Sequence, residues 1–163
     1  DEESDKLLSI LDDSAQELRQ LSHQMMPRAL SDVGLSPAIR DMLDNSLGNT
    51  DIEFSFEHFG ITDRHPEATE ITLYRIAQEL VNNVIKHSKA NRVSVQLFQA
   101  GNDLVLMVED DGQGFTPGQQ SSGIGLMNIK SRLDTVDGTV HFDANLGKGT
   151  LATVKIPLHQ LFL

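Results

Sequence analysis

The stretch EATEITLYRIAQELVNNVIKHSKA, residues 67 to 90, constrains the fold more than any other part of the chain. At about 100° per residue it reads as a long helix with Leu73, Ile76, Ala77, Leu80 and Val84 on one side, an apolar stripe that must be buried against a second layer. Strand signals on either side supply that layer. DIEFSFEHF (51–59) alternates, with Ile52, Phe54 and Phe56 pointing one way and Glu53, Ser55 and Glu57 the other, the pattern of a half-buried strand. RVSVQLF (92–98) and DLVLMVE (103–109) flank an Ala-Gly-Asn-Asp turn and read as a hairpin. TVHFDA (139–144) and TLATVKIPL (150–158) form a second pair around Asn-Leu-Gly-Lys-Gly. Ser36-Pro37 opens a short helix, with Ser36 as N-cap and Gly48 at its close. GLMNIKSRLDTV (125–136) has helical spacing through Leu126, Ile129 and Leu133, after a Gly-, Gln- and Ser-rich loop over 111–125. This order predicts an α+β two-layer sandwich, with a mixed, largely antiparallel sheet covered by helices on one face.

A long N-terminal helix is predicted over 5–26. Leu7, Leu11, Leu18, Leu21 and Met25 recur at spacings of three and four if Ser14 counts as a weak position, a heptad-like seam. The seam suits a dimerisation or bundle helix better than one packed on its own domain, and Pro27 ends it. The division that follows is 1–27 for this helix and 28–163 for the sandwich. The chain opens on DEESD without an initiator methionine, so native sequence is expected upstream. With 13 Lys and Arg against 24 Asp and Glu, the net charge is −11, which argues against nucleic acid as the main partner. An anionic ligand would need local help from a metal, a helix N-terminus or a few placed cations. Cysteine is absent, which excludes disulfides and thiolate metal sites. No apolar run reaches the roughly eighteen residues of a membrane span.

Two concentrations of chemistry stand out. On the long helix, Arg75, Glu79, Asn83 and Lys86 share a face beside the core stripe, and the tips of Glu79, Asn83 and Lys86 converge. A carboxylate and a carboxamide side by side offer the hard oxygens that Mg²⁺ takes together with phosphate oxygens, and a lysine one turn on can reach a phosphate. The alternative is a solvated face with an Arg75–Glu79 surface ion pair. The second concentration is glycine. Eight of the twelve lie between 112 and 149, and Gly112-x-Gly114 and Gly123-x-Gly125 flank one loop. In EDDGQGF (109–115) the glycines follow three acids, which would repel phosphate. Asp110 and Asp111 sit where a buried strand runs out into a loop, and a carboxylate there can instead accept a hydrogen bond from an exocyclic amine such as adenine N6. The glycines let the chain pass beneath a ring without a Cβ clash. Gly123-Ile-Gly125-Leu126 opens the next helix, whose N–H groups and positive end suit phosphate.

These segments carry a resemblance. YRIAQELVNNVIKHSKA resembles the N box of the sensor histidine kinase ATP-binding domain, VEDDGQGF its first glycine box D-x-G-x-G, SGIGLMNIKSRL its second, and GKGTLATVKIP its final glycine-rich turn and strand. All four occur in order over about 67–157. The domain belongs to the wider superfamily with DNA gyrase, MutL and heat-shock chaperones. ELRQLSHQMMPRALSDVGLSPAIRDML resembles the segment before this domain in the nitrate-sensor-like subfamily, the end of the second dimerisation helix and the first helix of the ATP domain. The resemblance implies ATP and Mg²⁺ as ligands. It implies that Asp110 accepts from adenine N6, that Gly112 and Gly114 shape the base pocket, and that Asn83 holds Mg²⁺. Glu79 would lie near the metal and γ-phosphate and polarise the attacking group. Lys86 and His87 would lie near phosphate or ribose. Gly123, Gly125 and Leu126 would anchor a lid and offer N–H groups to phosphate, and Thr150 would touch the pocket.

The implied activity is that of a histidine kinase catalytic fragment, passing a phosphoryl group to a histidine and then to an aspartate of a response regulator receiver domain. The full-length protein is expected to be a homodimer, with this chain the cytoplasmic portion of a membrane-anchored sensor. His23 in LSHQMMPRAL is a tempting acceptor, since SHQMMP resembles the S-H-E-x-x-x-P pattern of another kinase subfamily. Its better match is the second dimerisation helix, which leaves the acceptor helix missing from the chain. His58, His65, His141 and His159 read as surface or strand residues. Other readings are a serine kinase or ATPase of the same superfamily, disfavoured by residues 1–47, and a nucleotide-binding module without catalysis.

Overall fold

The computed structural model describes residues 2–24, 28–61, 63–114, 124–145 and 147–159. Three helices precede the first strand: α1 (Glu2–Gln24), α2 (Arg28–Val33) and α3 (Leu35–Leu47). Then come β1 (Glu53–Phe59), α4 (Glu67–Asn83), a five-residue π turn (Val84–Ser88), β2 (Arg92–Ala100) and β3 (Asp103–Asp110). The chain continues through α5 (Ile124–Asp134), β4 (Thr139–Asn145) and β5 (Gly149–Pro157). The sheet runs β1-β2-β3-β5-β4. Among the described residues only β1 and β2 pair in parallel, because α4 carries the chain back between them; the other three pairings are antiparallel. The sandwich is therefore α+β, with a mixed and largely antiparallel sheet.

Period-two alternation sets which side of each strand faces the helices. Val93, Val95 and Leu97 of β2, Leu104, Leu106 and Val108 of β3, and Ala152, Val154 and Ile156 of β5 all join the core. The register aligns them in rows: Leu97 opposite Leu106 and Leu106 opposite Val154. From the helix layer, Leu73, Ile76, Ala77, Leu80 and Val84 are all buried, as the stripe on the long helix predicts. Ile39, Leu43 and Leu47 of α3 and Ile129 and Leu133 of α5 complete the layer. Each Val, Leu or Ile side chain among them, removed from water, contributes about 1.5–3 kcal/mol.

Four local expectations are corrected. The long helix is α-helical only to Asn83 and then widens into the π turn. Its end is shaped by Ser88, whose Oγ donates to the Val84 carbonyl at 2.8 Å and accepts from Ala90 N–H at 3.1 Å, and by Lys89, held left-handed at φ 52°. Ser36 is not an N-cap. The helix begins at Leu35 behind Gly34, whose φ of +96° makes the turn and whose bare Cα leaves room for Arg64. Pro37 then falls in the first turn, where its missing N–H costs nothing. Helix α2 was not foreseen, since six residues are too few for a periodic signal. His65 lies in no strand and is half-buried, with its Nδ1 buried and without a hydrogen-bond partner among the described residues.

Arg64 ties the short helix to the sandwich. Its Nη2 donates to Glu70 Oε1 at 2.8 Å and to the Leu30 carbonyl at 3.0 Å, and its Nε reaches both Glu70 oxygens at 3.1 and 3.2 Å. Glu70 is only 2% exposed, so this fork gives a buried carboxylate its counter-charge. On α1 the described part of the apolar seam stands open, with Leu7 and Leu11 at 61% and 63% exposure.

Candidate functional site

The site assembles where α4 ends, α5 begins and β3 runs out. Glu79 and Asn83, one turn apart on α4, are half-buried. Gly125, in the first turn of α5, sits directly against them. A Cβ at Gly125 would collide with Glu79 Oε1 and stand 3.7 Å from Asn83 Oδ1. Two hard oxygens and the N-terminal turn of a helix thus face one small volume. Glycine is what allows that approach. Leu126, half-buried, follows on α5, and Gly123 lies outside the described residues.

Asp110 occupies the last helix-facing position of β3, one step beyond Val108, where the apolar rows end. It is 7% exposed, opposite Val93 on β2 and Thr150 on β5. Its Oδ1 accepts the Gly112 N–H at 2.9 Å. Among the described residues Oδ2 has no donor, which leaves it for a ligand. Burial pushes the carboxyl up from its ordinary range; the Gly112 N–H opposes that, and the neighbouring Asp111 and Glu109 add to it. The loop beyond is pressed onto its surroundings at glycines. A Cβ on Gly112 would stand 2.7 Å from Ser88 Cβ and collide with the Ser88 carbonyl oxygen. Gly149, at φ +86°, lies against the Asp110 carbonyl, where a Cβ would have no room. Gly114 is left-handed at φ 65°.

Asp111, which sequence reasoning leaves without a role beyond the turn, has a definite one. Its Oδ1 accepts from the N–H groups of Asn91 and Arg92, both at 2.8 Å, and so fixes the start of β2 to the end of β3. Those two donors, Arg92 first, hold its carboxyl below the ordinary range. Gln113 was also missed; its N–H donates to the Ser88 carbonyl at 2.7 Å and its Nε2 to the His87 carbonyl at 2.6 Å. No spacing rule announces either residue, because their partners lie about twenty or more positions away and appear only once the strands are paired. Lys86 and His87 are exposed on the π turn, one turn beyond Asn83. Arg75 is buried rather than on a solvated face, and donates to Gln78 Oε1 at 3.1 Å. The described residues hold no cluster of three or more acidic, His or Cys side chains able to bind a metal unaided. Glu79 and Asn83 nevertheless fit Mg²⁺, which keeps one or two protein ligands and completes its shell with phosphate and water. A hollow of about 350 Å³ opens beside the Asp110 carboxylate, lined by Asp110 and Asp111 with Glu53, Arg92, Glu109 and Lys148 among others; neither Glu79 nor Asn83 lines it.

A buried carboxylate with one oxygen undonated, and a pair of hard oxygens against a glycine, are groups that suit a nucleotide, and comparison with known proteins places the chain in an ATPase family. Residues 68–160 match the family described as histidine kinase-, DNA gyrase B- and HSP90-like ATPase. The chain belongs to that family, and within it is an ATP-binding domain of the sensor histidine kinase type. It is 33% identical over 139 residues to the signal transduction histidine-protein kinase/phosphatase DegS of Bacillus subtilis (strain 168), a match spanning 81% of this chain and 36% of that protein. To the DegS of Brevibacillus brevis it is 29% identical over 153 residues, spanning 93% of this chain and 40% of that one. The chain thus spans well under half the length of these curated relatives. Among solved structures, the blue-light activated histidine kinase of Erythrobacter litoralis EL346 shares the fold at a TM-score of 0.62 and 22% identity, over 76% of this chain and 40% of that one.

Proposed function

We propose that this chain is the ATP-binding catalytic part of a two-component sensor histidine kinase. It binds Mg²⁺·ATP, donates the γ-phosphoryl group to a histidine on an acceptor helix outside this sequence, and the group then passes to an aspartate of a response regulator receiver domain. In the full-length protein, α1 is part of a homodimer interface and this chain is the cytoplasmic portion of a membrane-anchored sensor. The observation that carries the ATP site is the meeting of Glu79, Asn83 and Gly125 at one end with Asp110 and Thr150 at the other. Asp110 Oδ2 takes the adenine N6 amine. Gly112 and Gly114 leave space for the ring. Asn83 and Glu79 hold Mg²⁺, which when bound neutralises phosphate charge that a −11 chain would otherwise repel. Lys86 and His87 face phosphate or ribose, Gly123, Gly125 and Leu126 offer backbone N–H groups, and Thr150 touches the pocket. Glu79 polarises the attacking imidazole. Catalysis is then mostly positioning and charge stabilisation.

Calorimetric titration with Mg²⁺·ATP tests this. Asp110→Asn and Asn83→Ala are each expected to weaken binding about 10- to 100-fold, the cost of losing a hydrogen bond or ligand to a charged group. The Asn83→Ala effect is expected only with the metal present. If neither substitution weakens binding, the assignment is wrong.

A further inference from the structure

We infer that Gln113 is a positioning residue that sets the distance between the base-reading and phosphate-facing halves of the site, an inference that rests on the ATP reading above. A π turn is wider and intrinsically weaker than the α-helix it extends, so the five residues after Asn83 need outside support to hold one shape. Ser88 closes the turn from within through its Oγ bond to the Val84 carbonyl. The outside support is Gln113. Its backbone N–H takes the Ser88 carbonyl at 2.7 Å and its side-chain Nε2 takes the His87 carbonyl at 2.6 Å. Its own carbonyl accepts the Gly147 N–H from the β4–β5 turn. One residue thereby joins three segments: the turn bearing Lys86 and His87, the loop that follows Asp110 at the end of β3, and the turn leading to Thr150. Gly112 makes the join possible, since any side chain there would drive the loop off Ser88. With only the backbone bond, the peptide between His87 and Ser88 could tilt. The second bond, to the preceding carbonyl, fixes its plane and hence where Lys86 and His87 stand relative to Asp110.

The side chain is exposed, so its replacement leaves the core intact. Gln113→Met keeps length and removes the donor. Binding of ATP, ADP and adenosine to this chain, followed by NMR titration with Mg²⁺, separates the two halves of the ligand. ATP and ADP affinities are expected to fall about 3- to 10-fold, the effect of one hydrogen bond, while adenosine affinity and Tm stay as in the parent. Equal losses for all three ligands, or no loss for any, overturn the inference. Asp110→Asn serves as the companion: it should weaken all three. If it weakens none, the ATP reading itself fails, whatever Gln113→Met does.

Discussion

Asp110 and Asp111 are adjacent, chemically identical and driven in opposite directions by their surroundings. Asp110 faces the helix layer and loses water; Asp111 faces outward and gains two backbone N–H donors. The consequences for stability have opposite signs. A carboxyl whose pKa is raised in the native state favours folding most below the ordinary carboxylate range, and that contribution is lost as pH rises through the raised value. Asp110 therefore weighs against the fold at neutral pH. Asp110→Asn should raise Tm by about 1–3 °C at pH 7, with the gain shrinking as the buffer is taken down through the raised pKa, even as nucleotide binding weakens. Asp111→Ala should do the reverse. The contribution of a depressed carboxyl is complete above the ordinary range and fades as pH falls through the depressed value, so the variant should be less stable at pH 7 and level with the parent in strong acid. Thermal melts of the two variants across pH check both, and a common sign would refute the assignment of opposite environments.

Among the elements, α2 depends most on a single side chain. Arg64 caps its last turn through the Leu30 and Ser31 carbonyls and satisfies Glu70 at the same time. Arg64→Ala leaves a buried carboxylate without its fork, and the expected fall in Tm is about 5–15 °C. Arg64→Lys should recover only part of this, since an ammonium cannot serve the carboxylate and the helix end in one plane. An unchanged melt would show the pair to be dispensable. The same elements show what the sequence could reveal. The stripe on α4 and the alternation in the strands are local periodicities, so helix, strands and layer arrangement could be read directly. The glycine pairs could be read as close approaches because glycine has few other reasons to cluster. The π turn could not, because it keeps helical composition and its widening is imposed by Ser88 and Gln113 from opposite sides. Helix α2 was too short to signal itself, and the true start of α3 hid behind Gly34, whose role depends on an arginine thirty residues later.

At the scale of the molecule, the described part of the seam on α1, Leu7 and Leu11, is exposed, and we propose that it meets a second copy of the chain. Sedimentation of this chain should show concentration-dependent self-association, abolished by Leu7→Asp with Leu11→Asp while nucleotide affinity holds; association that survives both changes would place the contact elsewhere. The sheet order bears on something different, the route by which the chain folds. The β2–β3 and β4–β5 pairs are hairpins that close over short loops. β3 and β5 must find each other across 40 positions at Asp110–Thr150 and 54 at Asp103–Pro157, a wider gap than the 39 between Glu53 and Arg92 of the parallel pair. Contacts so distant in sequence form late, because loop closure must precede them. Asp110 and Thr150, which we propose lie at the base-reading end of the site, face each other across that seam of the sheet. A nucleotide thus has nothing to grip until the last strands zip, and its binding should slow unfolding while leaving the early rate of folding untouched.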